Sequence, residues 1–156
     1  MNWQDICDDP TLRNLPFKIE LNRFGQIVMS PASNDHGMRQ GRIVVALSRA
    51  TADGEIISEC SVQTSDGTKV ADAAWCSPEF FKNHRITTPL GAAPDVCVEI
   101  LPPSNTETEM EHKKRLYFER GAEEVWFCES NGRMRFFAPY GELEVSKSLP
   151  SFPARV

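Results

Sequence analysis

The sequence predicts an α/β domain that combines antiparallel β-hairpins with a strand–helix–strand crossover, and three patterns carry that prediction. Residues 17 to 29, FKIELNRFGQIVM, alternate apolar and polar on both sides of NRFG, as two short strands around a glycine-containing turn do. APDVCVEIL reads as a strand, the following prolines as a loop, EHKKRLYFER as a helix stopped at Gly121, and EEVWFCE as a strand again, an order that joins parallel strands. VWFCES and RMRFFAP flank Asn131 and Gly132, the strongest short hairpin signal in the chain.

The elements follow in order. After the N-terminal hairpin, Ser33, Asn34 or Asp35 can cap a helix in which Ile43, Val44, Leu47 and Ala50 recur at helical spacing. Gly37 and Gly41 weaken that helix intrinsically, so they are expected to permit close packing. EIISECSVQT and KVADAAW, separated by a turn containing Asp66 and Gly67, should pair as a second hairpin. Residues 77 to 93, with Pro78 and Pro89, read as a long connection with one helical turn at PEFFKN. In the next strand Val96, Val98 and Ile100 make one face apolar, while Asp95, Cys97 and Glu99 share the other. Ser104 with Glu107 fits a capping box for the helix beyond it. The tail SLPSFPARV reads as a loosely held end.

Length and composition set limits. At 156 residues, 40% hydrophobic and 25% charged, the chain can bury one continuous core, and residues 1–156 are read as a single domain. No run approaches the roughly 18 apolar residues needed to cross a bilayer, and the start, MNWQDICDDP, lacks a secretory pattern, so the expectation is a cytoplasmic protein without membrane contact. Five scattered cysteines, Cys7, Cys60, Cys76, Cys97 and Cys128, fit reduced core or near-core thiols better than a disulfide framework or a zinc site. The formal net charge of −5 counts against a nucleic-acid binder with an overall basic face, although Lys113, Lys114, Arg115 and Arg120 concentrate positive charge in one segment.

Chemistry concentrates around the strand APDVCVEIL. An ionised acid facing a core is costly unless it is paired, hydrogen-bonded or bound to metal, and Glu99 sits in mid-strand between Val98 and Ile100. Asp95 shares its face but lies about 13 Å away along the strand, too far for both to hold one ion directly. Asp72, in the preceding strand, comes near Glu99 if the two strands pair antiparallel across the 77 to 93 connection. Carboxylates from neighbouring strands make a hard oxygen site suited to magnesium or manganese. For each acid the plain alternative is a turn, cap or exposed-face role.

At about 100° per residue, Lys113 falls between Leu116 and Tyr117 on the arc that also holds Met110. It either covers apolar surface with its stem or aims a cation at the carboxylates, where it could stabilise charge on a phosphate. His36 can contact the same site or simply serve the helix start. His84 and His112 lack metal-ligand spacing, Ser104 has no nearby histidine, and no phosphate-binding glycine loop is present. Trp3, Trp75 and Trp126 read as packing residues.

The succession VADAAW, APDVCVEILPPSN and EHKKRLYFERGAEEVWF, with the early KIELNRFGQIVMSPAS segment, the helix near His36, and Lys113 followed four residues later by Tyr117, resembles the Uma-type restriction-endonuclease family of the PD-(D/E)XK nuclease superfamily. The resemblance spans nearly the whole chain. It implies a restriction-endonuclease-like core, a mixed β-sheet flanked by helices, with Asp72, Asp95 and Glu99 at metal-binding positions for Mg²⁺ or Mn²⁺ and Lys113 as the active-site lysine. Two departures stand out: Ala71 precedes Asp72 where the superfamily has proline, and Leu101 occupies the usual lysine position two residues after the acid, so the lysine is displaced to the helix at Lys113. The implied activity is metal-dependent phosphodiester hydrolysis, with DNA as the expected nucleic-acid partner and a homodimer suited to cutting two strands. The rivals are a catalytically silent interaction protein that keeps the fold, and a hydrolase of small phosphorylated compounds, which the acidic net charge suits.

Overall fold

In the computed structural model, which describes residues 1–104 and 106–156, β1 (Phe17–Leu21) and β2 (Ile27–Pro31) form the expected hairpin. Asn22 closes its turn, accepting the Phe24 and Gln26 N–H groups on its side chain, and Gly25 takes the left-handed φ of 71° that the turn requires. α2 (Asn34–Ala50) starts at Ser33, whose hydroxyl accepts the His36 N–H, so the first of the three candidate caps is used.

β3 (Glu55–Thr64) and β4 (Gly67–Cys76) form the second hairpin, and α3 (Pro78–Asn83) is the helical turn in the long connection. β5 (Val96–Ile100), α4 (Glu107–Glu119) and β6 (Glu124–Cys128) make the crossover, with β5 and β6 parallel as the strand–helix–strand order requires. β7 (Met134–Ala138) returns antiparallel and β8 (Gly141–Leu143) adds a short edge. Among the described residues the main sheet therefore runs β3-β4-β5-β6-β7-β8, mixed because of one parallel pair and flanked by helices on both faces. A short N-terminal helix, α1 (Trp3–Asp8), carries no periodic pattern that announces it.

The alternation along β5 divides two cores. Val96, Val98 and Ile100 face Ile43 and Leu47 of α2, while Cys97 faces Met110 and Tyr117 of α4 and Phe80 of α3. The C-terminal tail is not loose. Leu149 and Phe152 are buried in the α2-side core, Phe152 stacks 4.5 Å from Trp126, and the Val156 N–H donates to Gly132. Prolines fix the backbone of such a segment without preventing its apolar side chains from burying, which the composition of the tail concealed.

Three further expectations are corrected. The capping box of α4 is Thr106 with Glu109, each side chain bonding the other's backbone N–H, two residues beyond the Ser104–Glu107 pair that fits the same pattern. A Cβ at Gly37 or Gly41 would meet nothing within 4 Å, so these glycines permit no close packing within the chain. Cys7 is exposed, whereas the other four cysteines are buried free thiols. Among the described residues no helix is long and apolar enough to cross a membrane.

Candidate functional site

β4 and β5 pair as far as Ala73–Val98, and one step further the ladder gives way to side chains. There the Asp72 carboxylate replaces the backbone acceptor, taking the Ile100 N–H at 2.7 Å on Oδ2. Asp72, midway along β4, and Glu99, near the end of β5, thus lie side by side on neighbouring strands, both almost wholly buried. β3 departs from regularity at the same level. Ser58–Ala73 and Cys60–Ala71 are paired, but Glu59 between them has φ 53°, an uncommon value for a residue with a side chain, and leaves the ladder. The Asp72 carbonyl accepts instead from Gln40 Nε2 at 2.7 Å, and Gln40 also holds Glu59 Oε1 at 2.6 Å.

One turn before Gln40, on the same face of α2, His36 Nε2 lies 3.2 Å from Asp72 Oδ1. His36, Glu59 and Asp72 each offer one ligand atom, all within 4.8 Å of one another. Two oxygens and one imidazole nitrogen at that spacing can converge on a divalent cation. The donor set fits such an ion.

The other side of Asp72 is filled by charge. Lys18 of β1 places its ammonium 2.9 Å from Asp72 Oδ1 and 3.3 Å from Glu99 Oε2. Lys113 of α4 lies 3.1 Å from Glu99 Oε1 and 2.8 Å from Glu20 Oε1, and the Tyr117 hydroxyl donates to Glu99 Oε1 at 2.7 Å. Glu20 completes a ring of alternating sign, 3.9 Å from Lys18, while also accepting the Val70 N–H. That last bond docks the N-terminal hairpin on β4. Burial would drive these groups neutral, and the arrangement answers it unevenly. Burial pushes the Asp72 carboxyl up, but His36, Lys18 and the Ile100 N–H outweigh it and hold it well below the usual carboxylate range. Burial raises the Glu99 carboxyl despite Lys113 and Lys18. The hydrogen bond to Asp72 raises His36, and burial keeps the Tyr117 phenol protonated as a donor.

Of the four site residues read from the sequence, Asp72, Glu99 and Lys113 come together and Asp95 does not. Asp95 lies just before β5, at the end away from Glu99, where its carboxylate accepts the Ser77 N–H at 2.7 Å and the Ser77 hydroxyl at 3.0 Å, steadying the cap of α3. Lys18, Glu20, Gln40 and Glu59 were not legible as site residues. On β1, Lys18 and Glu20 occupy the polar positions of an alternating strand, the pattern of an ordinary solvated face, and only the docking of the hairpin buries them. The site opens into a cleft of about 560 Å³ between the hairpin, α2 and α4, with Ser30, Lys69 and His112 on its walls. A hollow of about 670 Å³ beside α2 and the tail is lined by Val45, Arg42 and Arg155 and holds no comparable donor set.

Comparison with known proteins gives a family and a fold. The family model described as "Uma2: Putative restriction endonuclease" matches residues 4–147. Among solved structures, the chain is similar to "a putative nuclease belonging to DUF820 from Anabaena variabilis ATCC 29413", with a TM-score of 0.66 and 18% identity over 83% of this chain and 82% of that one. At that identity the likeness is one of fold. No curated protein matches.

Proposed function

Because the chain belongs to the Uma2 family, described as "Putative restriction endonuclease", we propose that the Asp72 centre is a metal-dependent nuclease site hydrolysing phosphodiester bonds in DNA. The observation that carries this reading is the meeting of an ion-ready donor set, His36, Glu59 and Asp72, with the Lys18 and Lys113 ammonium groups at the base of one cleft. A divalent ion held there supplies polarisation of a phosphoryl oxygen and a lowered pKa for water. Oxygen-dominated ligation favours Mg²⁺ or Mn²⁺, and the imidazole favours Mn²⁺ of the two.

The chain's own groups do the rest. Asp72 is held ionised and oriented by the Ile100 N–H, ready to accept a cation without rearranging. Lys113 is aimed by Glu99 and Glu20, and from the cleft wall it can offer its proton-bearing nitrogen to charge developing on a phosphate. Glu99 acts in this scheme by positioning the two lysines, since both of its oxygens already accept bonds. Asp95 is left out of the centre.

The test is cleavage of supercoiled plasmid, single-stranded DNA and RNA by purified protein in Mg²⁺, Mn²⁺ or EDTA, with Asp72→Asn and Lys113→Met beside the parent. The expected result is metal-dependent nicking of DNA that falls roughly 10²- to 10³-fold in both variants. Equal cleavage by the variants would expose a contaminant. Inactivity of folded, Mn²⁺-binding protein on every substrate would favour the silent interaction protein, and cleavage of RNA alone would move the substrate.

A further inference from the structure

We propose that Lys18 is the resident cation of the Asp72–Glu99 pair, filling the position from which a divalent ion would bridge these two carboxylates and so confining the ion to the His36–Glu59–Asp72 side. The inference rests on the nuclease reading above only for the ion it concerns; the placement of Lys18 stands independently.

Two neighbouring-strand carboxylates are the obvious pair to hold one ion between them. In this chain that space is taken. The Lys18 ammonium lies 2.9 Å from Asp72 Oδ1 and 3.3 Å from Glu99 Oε2, with Glu20 at 3.9 Å behind it. An ion ligating both oxygens would need to approach each to about 2.1 Å, within the volume of the ammonium, and two cations cannot share it. Lys18 is not a mobile surface lysine that happens to lean inward. Its side chain is 13% exposed, and its strand is pinned to β4 by Glu20 accepting the Val70 N–H. Three carboxylates, those of Asp72, Glu99 and Glu20, surround its ammonium within 4 Å.

The other Glu99 oxygen is occupied too. Oε1 accepts from Tyr117 and Lys113, which leaves Oε2, the oxygen that Lys18 contacts, as the one an ion shared with Asp72 would use. Asp72 Oδ1 still faces His36, which together with Glu59 offers an approach that does not cross Lys18. The centre is therefore a one-ion site with a lysine standing in the second position, and the lysine supplies fixed positive charge to the substrate side where a second ion would otherwise do so.

The experiment counts bound Mn²⁺ by calorimetry and by electron paramagnetic resonance of the free ion, for the parent, Lys18→Met and the double variant Lys18→Met/Glu99→Gln. The parent should bind one equivalent. Lys18→Met should bind one more, and the double variant should lose that gain. A folded Lys18→Met protein with the parent's stoichiometry and affinity overturns the proposal, as does a gain that survives Glu99→Gln. Should Lys18→Met fail to fold without metal, Lys18→Gln keeps a donor beside Asp72 without the charge, and a rise in its melting temperature with Mn²⁺ larger than the parent's is the equivalent readout. A parent that binds no Mn²⁺ refutes the nuclease centre, whereas a Glu99-dependent gain in Lys18→Met still upholds the role of Lys18.

Discussion

Tyr117→Phe isolates the bond on which the geometry of Glu99 depends. The phenol is fully buried in the α4-side core, and the substitution leaves its ring and packing in place while removing only the hydroxyl that donates to Glu99 Oε1 at 2.7 Å. A hydrogen bond to an ionised group contributes about 1.5–3 kcal/mol. Glu99 retains Lys113 on the same oxygen and Lys18 on the other, so its charge is not orphaned and the cost should fall at the lower end, about 1.5–2 kcal/mol. For a chain of this length that corresponds to a fall in melting temperature of roughly 3–8 °C. Urea unfolding should show a lower midpoint with an unchanged slope, since no surface is newly exposed in the folded state. Mn²⁺ affinity should stay at the parent's value, because the proposed donors are His36, Glu59 and Asp72, none of which Tyr117 contacts. A loss below about 0.5 kcal/mol would mean that the hydroxyl does not anchor Glu99, and the ring of alternating charge would lose its firmest contact.

Asp95→Ala removes two bonds to Ser77 at the start of α3 and should cost about 1–2 kcal/mol in urea unfolding while leaving Mn²⁺ binding intact; weakened binding would return Asp95 to the ligand set. The pH dependence of ion binding follows from His36. Its hydrogen bond to Asp72 raises its pKa above the ordinary value of 6.5, so the proton's contribution to stability is fully present below pH 6.5 and is lost as pH rises through the folded-state value. A metal competes with that proton, so the sign is reversed for binding. Mn²⁺ affinity should climb by up to about tenfold per pH unit from about pH 6 and level off above the His36 pKa, and His36→Gln should flatten the profile. An unchanged slope in that variant would remove His36 from the donors.

What the sequence could and could not disclose follows from the range over which each signal acts. Glu99 was legible because an acid between Val98 and Ile100 must be explained by something beyond the strand, and Lys113 because helical geometry alone places it beside Tyr117. Asp72 followed from a single pairing, antiparallel across the 77 to 93 connection, and the structure puts it one step beyond Ala73–Val98. Elsewhere local patterns were degenerate. Ser104-x-x-Glu107 and Thr106-x-x-Glu109 both satisfy the capping box, and nothing local to either decides between them. Asp95 and Glu99 share a strand face, but the length of strand between them gives each a separate partner. Lys18 and Glu20 belong to neither class. On their own strand they are ordinary alternating polar residues, and their meaning arises only when the hairpin docks on β4, about fifty residues away in sequence, and buries them against Asp72 and Glu99. The acids were readable because burying them needs compensation; the lysine that compensates them was not, because at its own position it needed no explanation.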